Sequence, residues 1–165
     1  MNWQILKEQI YIWDGGWLDI YIFNTTIKDW EKWAQFVNEN YKVSWYNGEL
    51  NKTETKINFE VIKKFWAGNL DFQSTVMVFI GDIQVNAHFF LSTEIENDID
   101  PREFNDMEDH NALIKYLKGI SRILDKEVIV TPENCPEIVL ISVKNEHVEI
   151  TTDTDPSQWP IRIKE

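Results

Sequence analysis

The sequence predicts an α+β domain, a largely antiparallel sheet with about three helices packed on one face. Three observations carry this expectation. Runs of β-branched and aromatic residues are joined by turns too short for parallel crossovers. Three separated stretches show apolar residues at helical spacing. The 165 residues are 43% hydrophobic and 27% charged, and no composition shift divides them, so a single domain over residues 1–165 is expected.

Taken in order, Gln9 to Trp13 and Trp17 to Phe23 read as two strands joined at Asp14-Gly15-Gly16, a hairpin in which glycine supplies positive φ. Thr26, followed three residues later by Asp29, caps a helix over Ile27 to Glu39 whose Trp30, Trp33, Phe36 and Val37 form one stripe. Lys42 to Tyr46 reads as a strand ended by Asn47-Gly48, and the polar Glu49 to Lys56 as a loop. A second helix over Asn58 to Ala67 has Asn58 as cap and Gly68 as stop. Thr75 to Ile80, Gly81-Asp82 and Ile83 to Leu91 form the clearest hairpin: Ile83, Val85, Ala87 and Phe89 alternate with Gln84, Asn86, His88 and Phe90, giving one core face and one mixed face.

Ser92 to Ile99 continues the meander until Pro101 breaks it. The longest helix runs from Met107 to Leu124, capped by Asp106, with Leu113, Ile114, Leu117, Ile120, Ile123 and Leu124 as its apolar ladder. Strands follow at Glu127 to Val130, Ile138 to Val143 and His147 to Thr151. The tail, with Asp155-Pro156 and Trp159-Pro160, is expected to pack loosely or to end in a short edge strand.

Sixteen Lys plus Arg against twenty-eight Asp plus Glu give a formal net charge of −12. That balance argues against nucleic acid and against an anionic membrane surface as partners, since both require cations. The start Met1-Asn2-Trp3-Gln4-Ile5-Leu6-Lys7-Glu8 has no secretory pattern and no stretch is long enough to span a membrane, so a cytoplasmic location is expected. A lone cysteine, Cys135, supplies neither a disulfide framework nor a thiolate metal site, and its neighbours Glu133 and Pro136 suit a buried small residue better than a nucleophile.

Catalytic patterns are missing: there is no dinucleotide fingerprint, phosphate loop, nucleophile elbow or zincin motif. No enzyme activity and no cofactor are expected. His88 reads as a half-buried packing residue, and His110 and His147 as solvent-facing. Asp98-Ile99-Asp100 is a pair of acids that could hold a divalent cation, so a small metal-assisted hydrolase using Asp98, Asp100 and His88 is the alternative from another class. An intracellular regulatory or scaffold interaction domain is a further one.

The strongest signal is electrostatic. Glu94, Glu96, Asp98, Asp100, Glu103, Asp106, Glu108 and Asp109 put eight acids within sixteen residues, opposed only by Arg102. Residues 1–93 hold eight bases and eleven acids, whereas residues 94–165 hold eight bases and seventeen acids. On a strand, Glu94, Glu96 and Asp98 share one face while Ile95 and Ile99 take the other. Two readings compete: a solvated edge that discourages aggregation, and a docking surface for a basic protein.

With its Phe65-Trp66-Ala67-Gly68 helix end, Gly81-Asp82 hairpin, Asp98-Ile99-Asp100-Pro101 corner and Val128-Ile129-Val130-Thr131-Pro132-Glu133-Asn134 strand exit, this acidic, tryptophan-rich chain resembles the immunity proteins of bacterial polymorphic toxin and contact-dependent inhibition systems. The resemblance implies a non-enzymatic antitoxin that binds one cognate toxin domain, often a nuclease, and blocks its active site. It also implies that the acidic segment imitates nucleic-acid phosphates against a basic cleft.

Overall fold

The computed structural model describes residues 1–71, 74–152, 154, 155 and 157. In chain order the elements are α1 (Trp3–Gln9), β1 (Leu18–Phe23), α2 (Ile27–Asn40), β2 (Lys42–Asn47), β3 (Lys52–Glu54), α3 (Phe59–Trp66), β4 (Thr75–Ile80), β5 (Ile83–His88) and β6 (Glu94–Ile99). A 3₁₀ turn (Pro101–Glu103), α4 (Met107–Leu124), β7 (Val128–Pro132), β8 (Ile141–Lys144) and β9 (His147–Ile150) complete them. All nine strands join one sheet in the order β3-β2-β4-β5-β6-β1-β7-β8-β9, and every pairing is antiparallel. The α+β class with a large antiparallel sheet is as expected; among the described residues the helices number four rather than about three.

Helix ends follow local chemistry. Thr26 and Asp29 close a full capping box on α2, each side chain reaching the other's backbone. Asn58 caps α3 through Glu60 N–H, and Asp106 caps α4 by accepting from Glu108 and Asp109 N–H. At the β4–β5 turn Gly81 takes φ +60, the conformation that a two-residue hairpin demands. Helices α2 and α4 lie against each other and against the sheet, and α3 leans on α2. Between α2 and α4 the approach is close at Gly119, where a Cβ would stand 2.4 Å from the Phe36 ring.

Strand alternation decides the two faces of the sheet. Val43, Trp45, Val76, Val78, Val85, Ala87, Ile95, Ile99, Ile20, Val130 and Ile141 are buried toward the helices. On α2, Trp30 and Trp33 are fully buried, and Trp30 packs edge-on against Trp33 and Trp66 and tilted against Phe89. The Trp30 indole N–H also donates to the carbonyls of Leu91 (2.9 Å) and Glu94 (3.2 Å), pinning the connection between β5 and β6.

Four expectations are corrected. Gln9 to Trp13 is not a strand paired to the next run: residues 3–9 are helical, capped by Asn2, and β1 pairs instead with β6 and β7. Leu6 and Ile10, one helical turn apart, are fully buried, so the apolar spacing there was helical. The segment expected as a loop, 49–56, contains the short edge strand β3, and the hairpin arm beginning at Ile83 ends at His88. The acidic strand β6 is no edge: among the described residues it is the fifth of nine strands, and β3 and β9 stand at the two ends of that order. The expected tail conformation falls mainly on residues 158–165, outside the described residues.

Candidate functional site

On the face of the sheet turned away from α2 and α4, residues with side chains at alternate positions meet across neighbouring strands. Asp98 of β6 stands between Asp19 of β1 and Asn86 of β5, and Glu96 between Tyr21 and His88. Glu94 stands beside Phe23, and Thr75 of β4 opposite His88. Directly opposed side chains in a sheet lie roughly 5 Å apart at Cβ. Four carboxylates, of Asp19, Glu94, Glu96 and Asp98, are thus gathered on two adjacent central strands.

Their partners differ. Asp98 accepts from Asn86 Nδ2 (2.8 Å) and pairs with His88 Nε2 (2.5 Å), while His88 Nδ1 faces the Thr75 hydroxyl (3.1 Å). Asp19 is buried and accepts from the Tyr21 hydroxyl (3.0 Å) and from Asn134 N–H (2.6 Å), which ties the connection after β7 onto this face. Glu94 and Glu96 make no ion pair among the described residues.

The electrostatics record the crowding. Burial, then the Asp19 charge, push the Glu96 carboxyl above its ordinary range, with Glu94 and Asp98 adding to the rise and His88 opposing it. Burial likewise raises Asp19, against its two hydrogen bonds. For His88 burial works against the charged ring, but the Asp98 hydrogen bond and the charges of Asp98, Glu96 and Asp19 outweigh it and raise its pKa.

The eight acids marked by the sequence separate into two groups. Glu94, Glu96 and Asp98 project from the sheet face, and Ile95 and Ile99 pack into the core as the alternation required. The other five shape the turn into α4. Asp100 caps the 3₁₀ turn and holds Arg102 through both its oxygens, an interaction that outweighs burial and keeps its carboxyl below the ordinary range. Glu103 accepts from Gln84 N–H (2.8 Å), Asp106 caps α4, and Asp109 accepts from Asn105 N–H (2.8 Å). Glu108 sits in the first turn of α4, where its charge suits the helix dipole.

Asp98, Asp100 and His88 are not brought together as a metal site. Asp98 and His88 pair with each other, Asp100 is committed to Arg102, and among the described residues no three His, Cys, Asp or Glu side chains are grouped to hold a metal ion. His110 also departs from expectation: it is buried, and its Nδ1 lies 2.7 Å from the Tyr11 hydroxyl, so the ring holds the exit of α1 against α4 rather than facing solvent. Burial lowers its pKa. His147 is exposed and Cys135 is buried, as expected. No described helix is long and apolar enough to cross a membrane.

Sequence reasoning missed Asp19, Tyr21 and Phe23. Alternation in β1 placed them together, but only the pairing of β1 with β6, a strand distant in the chain, brings them to the acids. Beyond Tyr21 and Phe23 the face opens into a cleft of about 580 Å³ also lined by Ile129, Lys126 and Lys144.

The His88–Asp98 pair carries a pH signature. A histidine whose folded-state pKa is raised stabilises the fold fully below its unfolded value, near 6.5, and that contribution is lost as pH rises through the folded value. His88→Gln is therefore expected to cost about 1 kcal/mol at pH 6 and less than half of that at pH 9. Urea unfolding at the two pH values measures it; a cost that grows with pH would contradict the ion pair.

Compared with known proteins, the chain matches no protein-family model, no curated protein and no solved structure.

Proposed function

We propose that this chain is a non-enzymatic, antitoxin-like binding protein that neutralises a basic cognate toxin domain, a nuclease being the fitting case, through the open face of its sheet. The supporting observation is the row of carboxylates on β1 and β6, of which only Asp98 meets a cationic side chain, His88, among the described residues. Like charges held side by side and partly buried are costly in the free protein, as the raised Glu96 carboxyl records. A partner that brings cations relieves this cost, so the face is complementary to basic surfaces and repels acidic ones. Asp100, Glu103, Asp106, Glu108 and Asp109 serve the local fold and add to the long-range field that steers a basic partner inward. The resemblance to immunity proteins points the same way.

The test starts with a pull-down from native lysate at low and moderate salt, to recover a single basic protein released as salt rises. With that partner purified, the triple variant Glu94→Gln, Glu96→Gln, Asp98→Asn is expected to associate at least about tenfold more slowly at low salt and with a flatter salt dependence. Unchanged kinetics would remove these acids from the interface. A partner bound without salt sensitivity would favour a scaffold role instead.

A further inference from the structure

Residues 1–16 stand apart from the sheet. Among the described residues they contribute no strand, and their backbone hydrogen bonds run within the segment, from Leu6 N–H to Asn2 and from Ile10 and Tyr11 N–H to Leu6. Side chains fasten the segment to the body. Leu6, Ile10 and Tyr11 are buried. The Tyr11 ring lies on Phe104, centroids 4.1 Å apart and planes 10° from parallel, with Trp3 stacked at 5.8 Å. Its hydroxyl reaches Nδ1 of His110, 2.7 Å away, where the histidine is 5% exposed. Further along, Trp13 packs under the Arg102 guanidinium, which stands 3.8 Å from the ring centroid. The joint is not sealed: a cleft of about 470 Å³ lined by Lys7, Tyr11, Trp13, Arg102 and Phe104 runs along it.

We propose that residues 1–16 form a strap that acid opens, with His110 as its latch: the strap is closed while the ring is neutral and loosens when the ring takes a proton. The chemistry of the bond sets the direction. A neutral imidazole can accept the Tyr11 O–H at Nδ1, whereas a protonated one carries hydrogens on both nitrogens and accepts nothing. The hydroxyl must then turn its hydrogen elsewhere inside the joint, and a cationic ring is left where water reaches it poorly. His110 also lies in the first turn of α4, at the positive end of the helix, which disfavours a charged ring. The titratable and charged groups around it are Tyr11 on the strap and Asp106, Glu108 and Asp109 at the start of α4, with Lys7, Glu8 and Arg102 along the cleft. Asp106 and Asp109 are held by backbone N–H groups, and burial sets the balance, lowering the His110 pKa. A histidine whose pKa is lower closed than open favours the closed form above its ordinary value, near 6.5, and favours it less with each step below. The opened strap frees Leu6 and Ile10 and parts Tyr11 from Phe104, so acid uncovers apolar surface beside the start of α4.

Amide hydrogen exchange of the full chain, read residue by residue from about pH 7.5 to about pH 5 and corrected for its intrinsic pH dependence, tests the strap. The protection of the Ile10 and Tyr11 amides is expected to fall by up to about tenfold per pH unit once the pH drops below the ordinary histidine value, while amides in β5 and β6 keep theirs. His110→Gln, whose neutral amide can accept the Tyr11 hydroxyl at every pH, should make the Ile10 and Tyr11 protection independent of pH over the same range. An NMR titration of the unaltered protein's histidine rings needs no variant, and it should place the His110 pKa below the ordinary value. A flat exchange profile in the unaltered protein overturns the proposal, as does the same fall in His110→Gln. A fall shared by β5 and β6, or a His110 pKa at or above the ordinary value, overturns it as well.

Discussion

Trp30→Ala is expected to lower the unfolding free energy by about 3–5 kcal/mol, the range for deleting a large aromatic from a packed core. The indole is fully buried and touches Trp33, Trp66 and Phe89, so nothing small can refill its volume. Two carbonyls, of Leu91 and Glu94, would also lose their donor. Trp30→Phe separates these contributions: it restores most of the ring contact, removes the donor, and should cost about 1–2 kcal/mol. Urea unfolding monitored by circular dichroism measures both. Because the indole anchors the chain between Phe90 and Glu94, Trp30→Phe should also weaken partner binding more than its modest destabilisation would account for. A Trp30→Ala cost under about 1 kcal/mol would mean that α2 does not seat on the sheet as described.

The second large effect is expected at the hydrogen bond between the Tyr116 hydroxyl and Asn97 Oδ1, 2.8 Å long, where both residues are completely buried between α4 and β6. Tyr116→Phe leaves the Asn97 oxygen without a donor in the core, at a cost of about 1–3 kcal/mol. Asn97→Leu leaves the Tyr116 hydroxyl stranded, but it also removes an Asn97 Nδ2 that has no partner among the described residues, so its cost is the smaller. In the double variant neither orphan remains. Its cost should fall well below the sum of the two single changes, a coupling that a double-mutant cycle in urea reads directly. Strict additivity would mean that the bond contributes nothing in the folded protein.

Much of the architecture was legible because its determinants are local. Thr26 with Asp29, Asn58 and Asp106 mark helix starts through side chains that reach backbone groups within three residues. The β4–β5 hairpin is written in alternation and in Gly81. The start of the chain misled because the β-rich run Gln9 to Trp13 is followed by Asp14-Gly15-Gly16, which resembles a hairpin turn, while the helix-setting positions, Trp3, Leu6 and Ile10, lie mostly before that window. Strand β3 is too short and polar, Lys52 to Glu54, to show a period at all. His110 looked exposed because its neighbours Asp109 and Asn111 are polar; its partner Tyr11 is ninety-nine residues away.

The sequence by itself determined that the domain is α+β, that its charge is concentrated after residue 93, and that Glu94, Glu96 and Asp98 share one side of a strand opposite Ile95 and Ile99. Each follows from composition or from a period of two or 3.6 residues, which the backbone imposes without reference to distant segments. Only the tertiary structure decided that this strand is central rather than an edge. Only it set Asp19, Tyr21 and Phe23 on one flank and His88 with Phe90 on the other, and spent five of the eight acids on the turn into α4. Strand order depends on which distant apolar faces bury best together, a global competition that no local window of residues encodes.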